Sequence, residues 1–208
     1  MEKCTRAVII TGGSMFDYDY IRGFLQPGDF IIAADSGYKH ALALGLRPQV
    51  LLGDFDSLDH LPQDIPIERH PAQKDCTDTQ LALDWARKRG HKHFLLLGAI
   101  GTRMDHSLAN INLLAQMLDA GETGQMVDEH NEIFITDSEL TIYGKKGDIL
   151  SLIPLTTCTG VTTENLYYPL QGATLEAHSG LGVSNVFTAS CVRVRLSSGK
   201  LLVMRCRD

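Results

Sequence analysis

The chain has 208 residues, of which 44% are hydrophobic and 21% charged, a composition that supports one large globular domain or two small ones. Its formal net charge is -6 and it has no long basic run, which argues against nucleic acid or a membrane surface as a partner. The first apolar run, Ala7–Ile10, is too short for a signal peptide or a membrane span.

The cysteines indicate a reducing compartment. They lie far apart, are odd in number and form no CxxC pair, at Cys4, Cys76, Cys158, Cys191 and Cys206. This spacing argues against a zinc site and a disulfide framework. We therefore expect a cytoplasmic protein without a membrane anchor.

The first half of the chain alternates short apolar runs with segments of helical periodicity. The runs are AVII at 7–10, FIIAA at 30–34, VLL at 50–52, IERH at 67–70, FLLLG at 94–98 and QMVDEH at 125–130. This alternation predicts an α/β fold, with a mostly parallel, Rossmann-like sheet and helices on both faces. In such a sheet the binding crevice lies at the carboxyl ends of the strands.

Two carboxylates follow the third predicted strand. Asp54 and Asp56 stand two residues apart after Gly53, so in an extended segment their side chains point the same way. Like charges that close are costly unless a cation lies between them, and a hard divalent cation is the natural candidate. The alternative is an ordinary polar turn closed by Asp and Ser residues.

The turn after the second strand carries similar chemistry. Asp35 and Ser36 lie where a doubly wound fold often contacts a ribose hydroxyl, although either residue could simply cap the next helix. Gly12 and Gly13, after the first strand, would let a phosphate or ribose approach the backbone, or would form a plain tight turn.

Charged residues also gather at the start of the third predicted helix. Thr77 and Gln80 form a capping box, with Asp75 and Asp78 beside the helix N-terminus. Acidic residues are ordinary at that position, but together with Lys74 they could equally form a corner for phosphate and metal.

The turn after FLLLG adds a cation. Arg103 offers a planar fork for phosphate oxygens, and Asp105 opens a helix. Asn110 and Asn112 interrupt that otherwise apolar helix, and one of them could be a buried hydrogen-bonding residue, while the role of His106 stays open. Because the carboxyl ends of parallel strands share one edge, we expect all these groups to converge.

Past Gly121 almost every segment has the pattern of a β-strand, including GVTTENLYY at 160–168, which predicts a small all-β sandwich or barrel. We place the domains at 1–126 and 127–208. Two features of the second domain could bind a ligand: the aromatic pair in Leu166–Pro169, and the glycine-rich segment Gly180–Asn185. Packing and ordinary turns are the alternatives.

Taken together, these residues resemble the thiamin pyrophosphokinase family, particularly its bacterial form. The resemblance is carried, in order, by ADSG at 34–37, LLGDFDS at 51–57, KDCTD at 74–78, GAIGTRMDHSLAN at 98–110, LYYPL at 166–170 and GVSN at 182–185. Ser36 and Thr102 stand where many members have glycine.

The resemblance implies an ATP-binding α/β domain, a β-sandwich that binds thiamin, and a homodimer whose active sites are shared between subunits. It implies that ATP donates its terminal diphosphate to the hydroxyethyl group of thiamin, giving thiamin diphosphate and AMP, with Mg²⁺ required. The metal ligands would be Asp54, Asp56, Asp78 and Asp105, which with Arg103 form the catalytic set. The implied ATP contacts are Asp35, Ser36, Gly37, Lys74, Asp75, Thr77 and Arg103. The implied thiamin contacts are Tyr168, Ser184, Asn185 and Asn110.

Two other functions fit part of the sequence. A strand followed by Asp54-Phe55-Asp56 superficially matches a phosphohydrolase with an aspartyl nucleophile, although that motif is expected on the first strand. A non-catalytic nucleotide or thiamin sensor would keep the pocket, but gains nothing from concentrated negative charge.

Overall fold

The structure is a computed structural model that describes residues 5–55, 62–69 and 76–207. Three predicted site residues, Asp56, Lys74 and Asp75, lie outside the described residues. The chain divides into two compact units, Met1–Glu129 and His130–Asp208.

The first unit contains a sheet of six parallel strands. They are β1 (Ala7–Ile10), β2 (Phe30–Ala34), β3 (Val50–Gly53), β4 (Ile67–Arg69), β5 (His93–Leu97) and β6 (Thr123–Val127). Their order is β6-β5-β1-β2-β3-β4, with every neighbouring pair parallel. The central strands are buried runs of aliphatic residues, as expected where a sheet is covered on both faces. The predicted parallel sheet is confirmed.

Four described helices surround this sheet: α1 (Tyr18–Arg22), α2 (Gly37–Ala43), α3 (Asp78–Lys88) and α4 (Met104–Asp119). α1 and α2 pack on Val8 and Ile10, whereas α3 contacts β1, β2 and β3, and α4 contacts β6. The Thr77 side chain caps α3 by accepting a hydrogen bond from the Gln80 amide at 3.2 Å. Within the described ranges no helix is both long and apolar enough to cross a bilayer.

The register of the central strands brings their ends level. Ile10 pairs with Ala33 on one side and with Leu97 on the other. Ala34 pairs with Leu52, so β2 and β3 also end side by side. The turns after β1, β2, β3 and β5 therefore leave the sheet at one edge, where the sequence predicted a binding crevice.

The second unit is antiparallel. Its strands are β7 (Asn131–Thr136), β8 (Glu139–Tyr143), β9 (Ile149–Pro154), β10 (Cys158–Glu164), β11 (Ala173–Leu175), β12 (Asn185–Val186), β13 (Cys191–Arg195) and β14 (Leu201–Cys206). They are ordered β12-β9-β14-β7 and β11-β10-β13-β8. Leu152 and Val203 from the first layer share one apolar core with Val161 and Val194 from the second, which is the arrangement of a sandwich.

One local prediction in this unit was wrong. The strand expected to run through Tyr168 ends at Glu164, because Asn165 adopts a left-handed conformation with φ of 65°. Asparagine tolerates this region better than most residues, and the chain turns there. Asn185, the last residue of the candidate ligand-binding segment Gly180–Asn185, forms the short strand β12 with Val186.

Candidate active site

A cleft of about 450 Å³ opens at the carboxyl edge of the sheet in the first unit. Its wall is built from the turns after β1, β2 and β5 and from the first turns of α3 and α4. Its size is that of a small-molecule site. The predicted site residues on its wall are Asp35, Ser36, Thr77, Asp78, Arg103 and Asn110.

Two glycine-containing loops form the floor of the cleft and are joined by backbone hydrogen bonds. The Gly13 amide donates to the Gly98 carbonyl at 2.7 Å, and the Ser14 amide donates to the Ile100 carbonyl at 3.0 Å. The Thr11 hydroxyl also donates to Gly98. A Cβ on Gly13 would lie 2.2 Å from the Gly98 oxygen, so only glycine permits this approach.

Side chains of helix α4 form hydrogen bonds to the second of these loops, the one that follows β5. The buried Asn110 side chain donates to the Ala99 carbonyl at 2.8 Å. The buried Ser107 hydroxyl accepts from the Gly101 amide at 3.1 Å. Of the two asparagines that interrupt the helix, Asn110 therefore has the buried hydrogen-bonding role, and its assignment to thiamin remains a prediction. Ser107 was missed, although it stands three residues before Asn110 on the same helix face.

The turn after β2 presents polar groups to the cleft. The Asp35 amide donates to the end of β3 at 2.7 Å, and Asp35 itself has a left-handed φ of 46°. Ser36 stands at the N-cap position of α2 but makes no capping hydrogen bond, so capping does not explain it. Gly37 allows α2 to approach β1, because a Cβ there would lie 2.0 Å from the Ile10 oxygen, and its contact with ATP remains a prediction.

The predicted metal-binding acids are only partly gathered. Asp78 lies on the cleft wall at the N-terminus of α3, where the helix dipole favours a negative charge. Asp54 follows Gly53, which packs closely against the turn at Asp35: a Cβ added to Gly53 would lie 3.2 Å from the Asp35 Cα. Asp54 therefore lies beside that turn. Among the residues that the structure describes, no group of three His, Cys, Asp or Glu side chains could hold a metal ion. Asp56 lies outside that part of the chain.

The fourth predicted metal ligand, Asp105, is paired with Arg103. The Arg103 Nη2 lies 2.6 Å from one Asp105 oxygen, and Nε donates to the other at 3.2 Å. The guanidinium holds the pKa of Asp105 at about 2, and the carboxylate in turn raises the pKa of Arg103. Both side chains are mostly exposed, at 71% and 64%. Such an exposed pair is easily exchanged for a ligand.

The predicted thiamin contacts of the second unit differ in accessibility. The Tyr168 ring is 65% exposed and meets Tyr167 edge-on at 4.8 Å. Asn185 is only 4% exposed and forms two hydrogen bonds to the Tyr168 backbone. Ser184 has a left-handed φ of 57°, and its amide donates to Ser151 at 3.0 Å. The Tyr168 ring is therefore accessible to a ligand, and the Asn185 side chain holds the Tyr168 backbone in place.

Comparison with known proteins relates each unit to one part of a single family. Residues 21–123 match the family model of the thiamin pyrophosphokinase catalytic domain. Residues 132–201 match the model of the thiamin pyrophosphokinase vitamin B1 binding domain. The two matches follow one another along the chain, one in each compact unit.

Individual relatives extend over nearly the whole chain. Thiamine pyrophosphokinase of Bacillus subtilis (strain 168) is 28% identical over 209 residues, covering 96% of this chain and 98% of the relative. The crystal structure of thiamine pyrophosphokinase from Bacillus subtilis superimposes with a TM-score of 0.88, at 26% identity, covering 98% of this chain and 100% of that one. The enzyme from Geobacillus thermodenitrificans gives 0.83 at 27% identity, covering 98% of both chains.

Proposed function

The chain belongs to the thiamin pyrophosphokinase family, and from this premise we propose that it transfers the terminal diphosphate of ATP to the hydroxyethyl oxygen of thiamin. The products are thiamin diphosphate and AMP. The observation that carries the proposal is the cleft in the unit that matches the family's catalytic domain, with Asp78 and Arg103 on its wall.

The cleft suits a nucleotide with its phosphates along the glycine loops. Gly12 and Gly13 lie on the cleft wall, so phosphate oxygens can lie against their backbone. Arg103 can exchange Asp105 for a phosphate, because its planar fork fits both anions. Asp35 and Thr77 lie within the same cleft as candidates for the sugar. Lys74 and Asp75 remain proposed ATP contacts.

We propose Mg²⁺ as the required ion. The ligand set fits it in kind, since carboxylate oxygens are its usual protein ligands and one or two are enough when phosphates and waters complete the shell. Asp78 on the cleft wall, with Asp54, Asp56 and Asp105, would hold it. When bound, it neutralises charge on the phosphate oxygens.

The residues of the chain have two tasks in the transfer: they align the hydroxyl oxygen with the β-phosphorus, and they stabilise the charge that develops as AMP leaves. Arg103 serves the second task from the cleft wall. In the free protein Arg103 lowers the pKa of Asp105 to about 2, an effect that ends once Arg103 binds a phosphate instead. Asp54, Asp56, Asp78 and Asp105 are therefore all candidates for accepting the proton of the alcohol.

The direct test is to incubate the protein with ATP, Mg²⁺ and thiamin and to separate the products. We expect AMP and thiamin diphosphate in equal amounts, with neither formed when thiamin or the metal is omitted. Phosphate release without thiamin would instead support the hydrolase. Ligand binding in a calorimeter without AMP would support the sensor.

A paired substitution tests the site itself. Asp78→Asn should lower kcat by about two orders of magnitude while the protein stays folded, because the change removes a charge from the cleft wall. Asp64→Asn is the matched control, since Asp64 is an exposed acid paired with Arg47 away from the cleft. Equal activity in the two variants would contradict the assignment of Asp78.

We further propose a homodimer in which the catalytic unit of one subunit works with Tyr168 of the other. Mixing Asp78→Asn subunits with Tyr168→Ala subunits should then restore about a quarter of wild-type activity, since half of random pairs are mixed and each mixed pair has one intact site. If each site is built from one chain, mixing restores nothing.

A cytoplasmic location is likewise proposed, as the described cysteines are free thiols, which fits a reducing compartment.

A further inference from the structure

A hydrogen-bonded chain of three residues ties helix α2 to the glycine loop of the cleft. The His40 Nε2 lies 2.8 Å from the Gly13 carbonyl oxygen. On the other side of the ring, Nδ1 lies 2.8 Å from the Tyr18 hydroxyl. The Tyr18 ring also packs on the imidazole, with centroids 5.9 Å apart. His40 thus joins residues far apart in sequence.

The chemistry of the partners sets the direction of these bonds. A carbonyl oxygen only accepts, so Nε2 of His40 must carry the proton and donate to Gly13. In the neutral imidazole, Nδ1 is then an acceptor, and the Tyr18 hydroxyl donates to it. Tyr18 therefore fixes both the tautomer and the orientation of the ring that holds Gly13.

The Gly13–Ser14 peptide is held at both ends. His40 binds its carbonyl oxygen, and the Ile100 carbonyl accepts from its amide at 3.0 Å. A peptide next to glycine is otherwise free to rotate, because glycine adopts both signs of φ at little cost. Without the imidazole, one end of this peptide would lose its partner.

We propose that His40 is a positioning residue that keeps the glycine loop, Thr11–Ser14, in the conformation that binds ATP. Gly12, Gly13 and Ser14 all lie on the cleft wall, so a rotation of the held peptide changes the surface offered to phosphates. His40 is not on that wall and acts through Gly13. The inference rests on the proposed function, since it assumes that the cleft binds ATP.

Three substitutions of His40 separate its two hydrogen bonds. The amide nitrogen of Gln can occupy the place of Nε2, whereas that of Asn reaches only as far as Nδ1. We expect His40→Ala to raise the KM for ATP about tenfold, the effect of losing one hydrogen bond of about 1.4 kcal/mol, with the KM for thiamin unchanged. His40→Gln should recover most of the loss and His40→Asn little of it.

Two controls complete the experiment. His91→Ala removes a half-buried imidazole of the same unit that bonds to the Thr5 carbonyl outside the cleft, and it should leave the KM for ATP unchanged. Tyr18→Phe should give a smaller rise in that KM than His40→Ala, because it loosens the ring without removing it. Thermal unfolding of each variant separates a general loss of stability from the selective effect.

The outcomes are distinct. The inference is overturned if His40→Ala keeps the KM for ATP within about twofold of wild type, or if ATP and thiamin are affected equally. It is also overturned if Gln restores no more than Asn does, a comparison that remains available if His40→Ala fails to fold. A wild-type protein that makes no AMP would refute the proposed function instead.

Discussion

Replacing Asn185 by alanine tests how the second unit presents Tyr168. The Asn185 side chain accepts from the Tyr168 amide at 3.0 Å and donates to the Tyr168 carbonyl at 2.7 Å. The same oxygen accepts from the Val186 amide at 2.9 Å. Both lone pairs of that oxygen are therefore used within the protein, and the side chain is nearly buried. The Asn185 side chain therefore holds the backbone of Tyr168 in place.

The expected loss of stability follows from these bonds. Each hydrogen bond contributes about 1 kcal/mol net, and a buried partner left unsatisfied adds to the cost. Loss of the two bonds to Tyr168 should lower the free energy of unfolding by about 2 to 3 kcal/mol. Asn185→Asp should do comparable damage, because it keeps the accepting oxygen but places a second oxygen against the Tyr168 carbonyl.

The assay combines thermal unfolding with steady-state kinetics. Both variants should raise the KM for thiamin and leave the KM for ATP near the wild-type value, because only the Tyr168 segment is loosened. Gln171→Ala, which removes an exposed amide of the same unit, is the control and should change neither quantity. If Asn185→Ala unfolds at the wild-type temperature, the side chain does not support Tyr168 and the reasoning fails.

Three further predictions concern the first unit. Gly13→Ala should destabilise by about 1 to 3 kcal/mol and raise the KM for ATP, because its Cβ would lie 2.2 Å from a carbonyl oxygen. In urea unfolding, Asp29→Ala should lower the free energy of unfolding by about 3 kcal/mol, because it breaks a largely buried ion pair with Arg6. Asp64→Ala breaks an exposed ion pair with Arg47 and should lower the free energy of unfolding by less than about 1 kcal/mol. Because the pKa of Asp105 is lowered from 3.8 to about 2, its ion pair with Arg103 stabilises the fold fully above pH 3.8, and this stabilisation is lost as the pH falls through about 2. Arg103→Gln should move the NMR titration midpoint of the Asp105 carboxyl upward.

The strands of the first unit could be predicted because each is a continuous apolar run that ends at a glycine or a polar turn. β1 and β2 occupy the predicted residues, Ala7–Ile10 and Phe30–Ala34. The rule that parallel strands share a carboxyl edge then places the following turns together, and Asp35 and Asp78 do lie on one cleft. This part of the site follows from periodicity and topology alone.

Contacts between distant residues could not be predicted in the same way. Tyr168 and Asn185 stand 17 residues apart, and His40 and Gly13 stand 27 apart. Neither spacing is periodic in a helix or a strand, so only the folded chain brings the partners together. Asn165 is a different case. The residues on both sides of it have the pattern of a β-strand, so the sequence did not indicate that Asn165 adopts a left-handed conformation and ends β10.

The pairing of Arg103 with Asp105 shows a further limit of sequence reasoning. Each residue is of a type that suits a ligand, the arginine a phosphate and the aspartate a cation, yet in the folded chain each serves as the other's partner. Because the pair is exposed, separating it costs little, so the pairing does not oppose the proposed roles of Arg103 towards a phosphate and of Asp105 towards a cation.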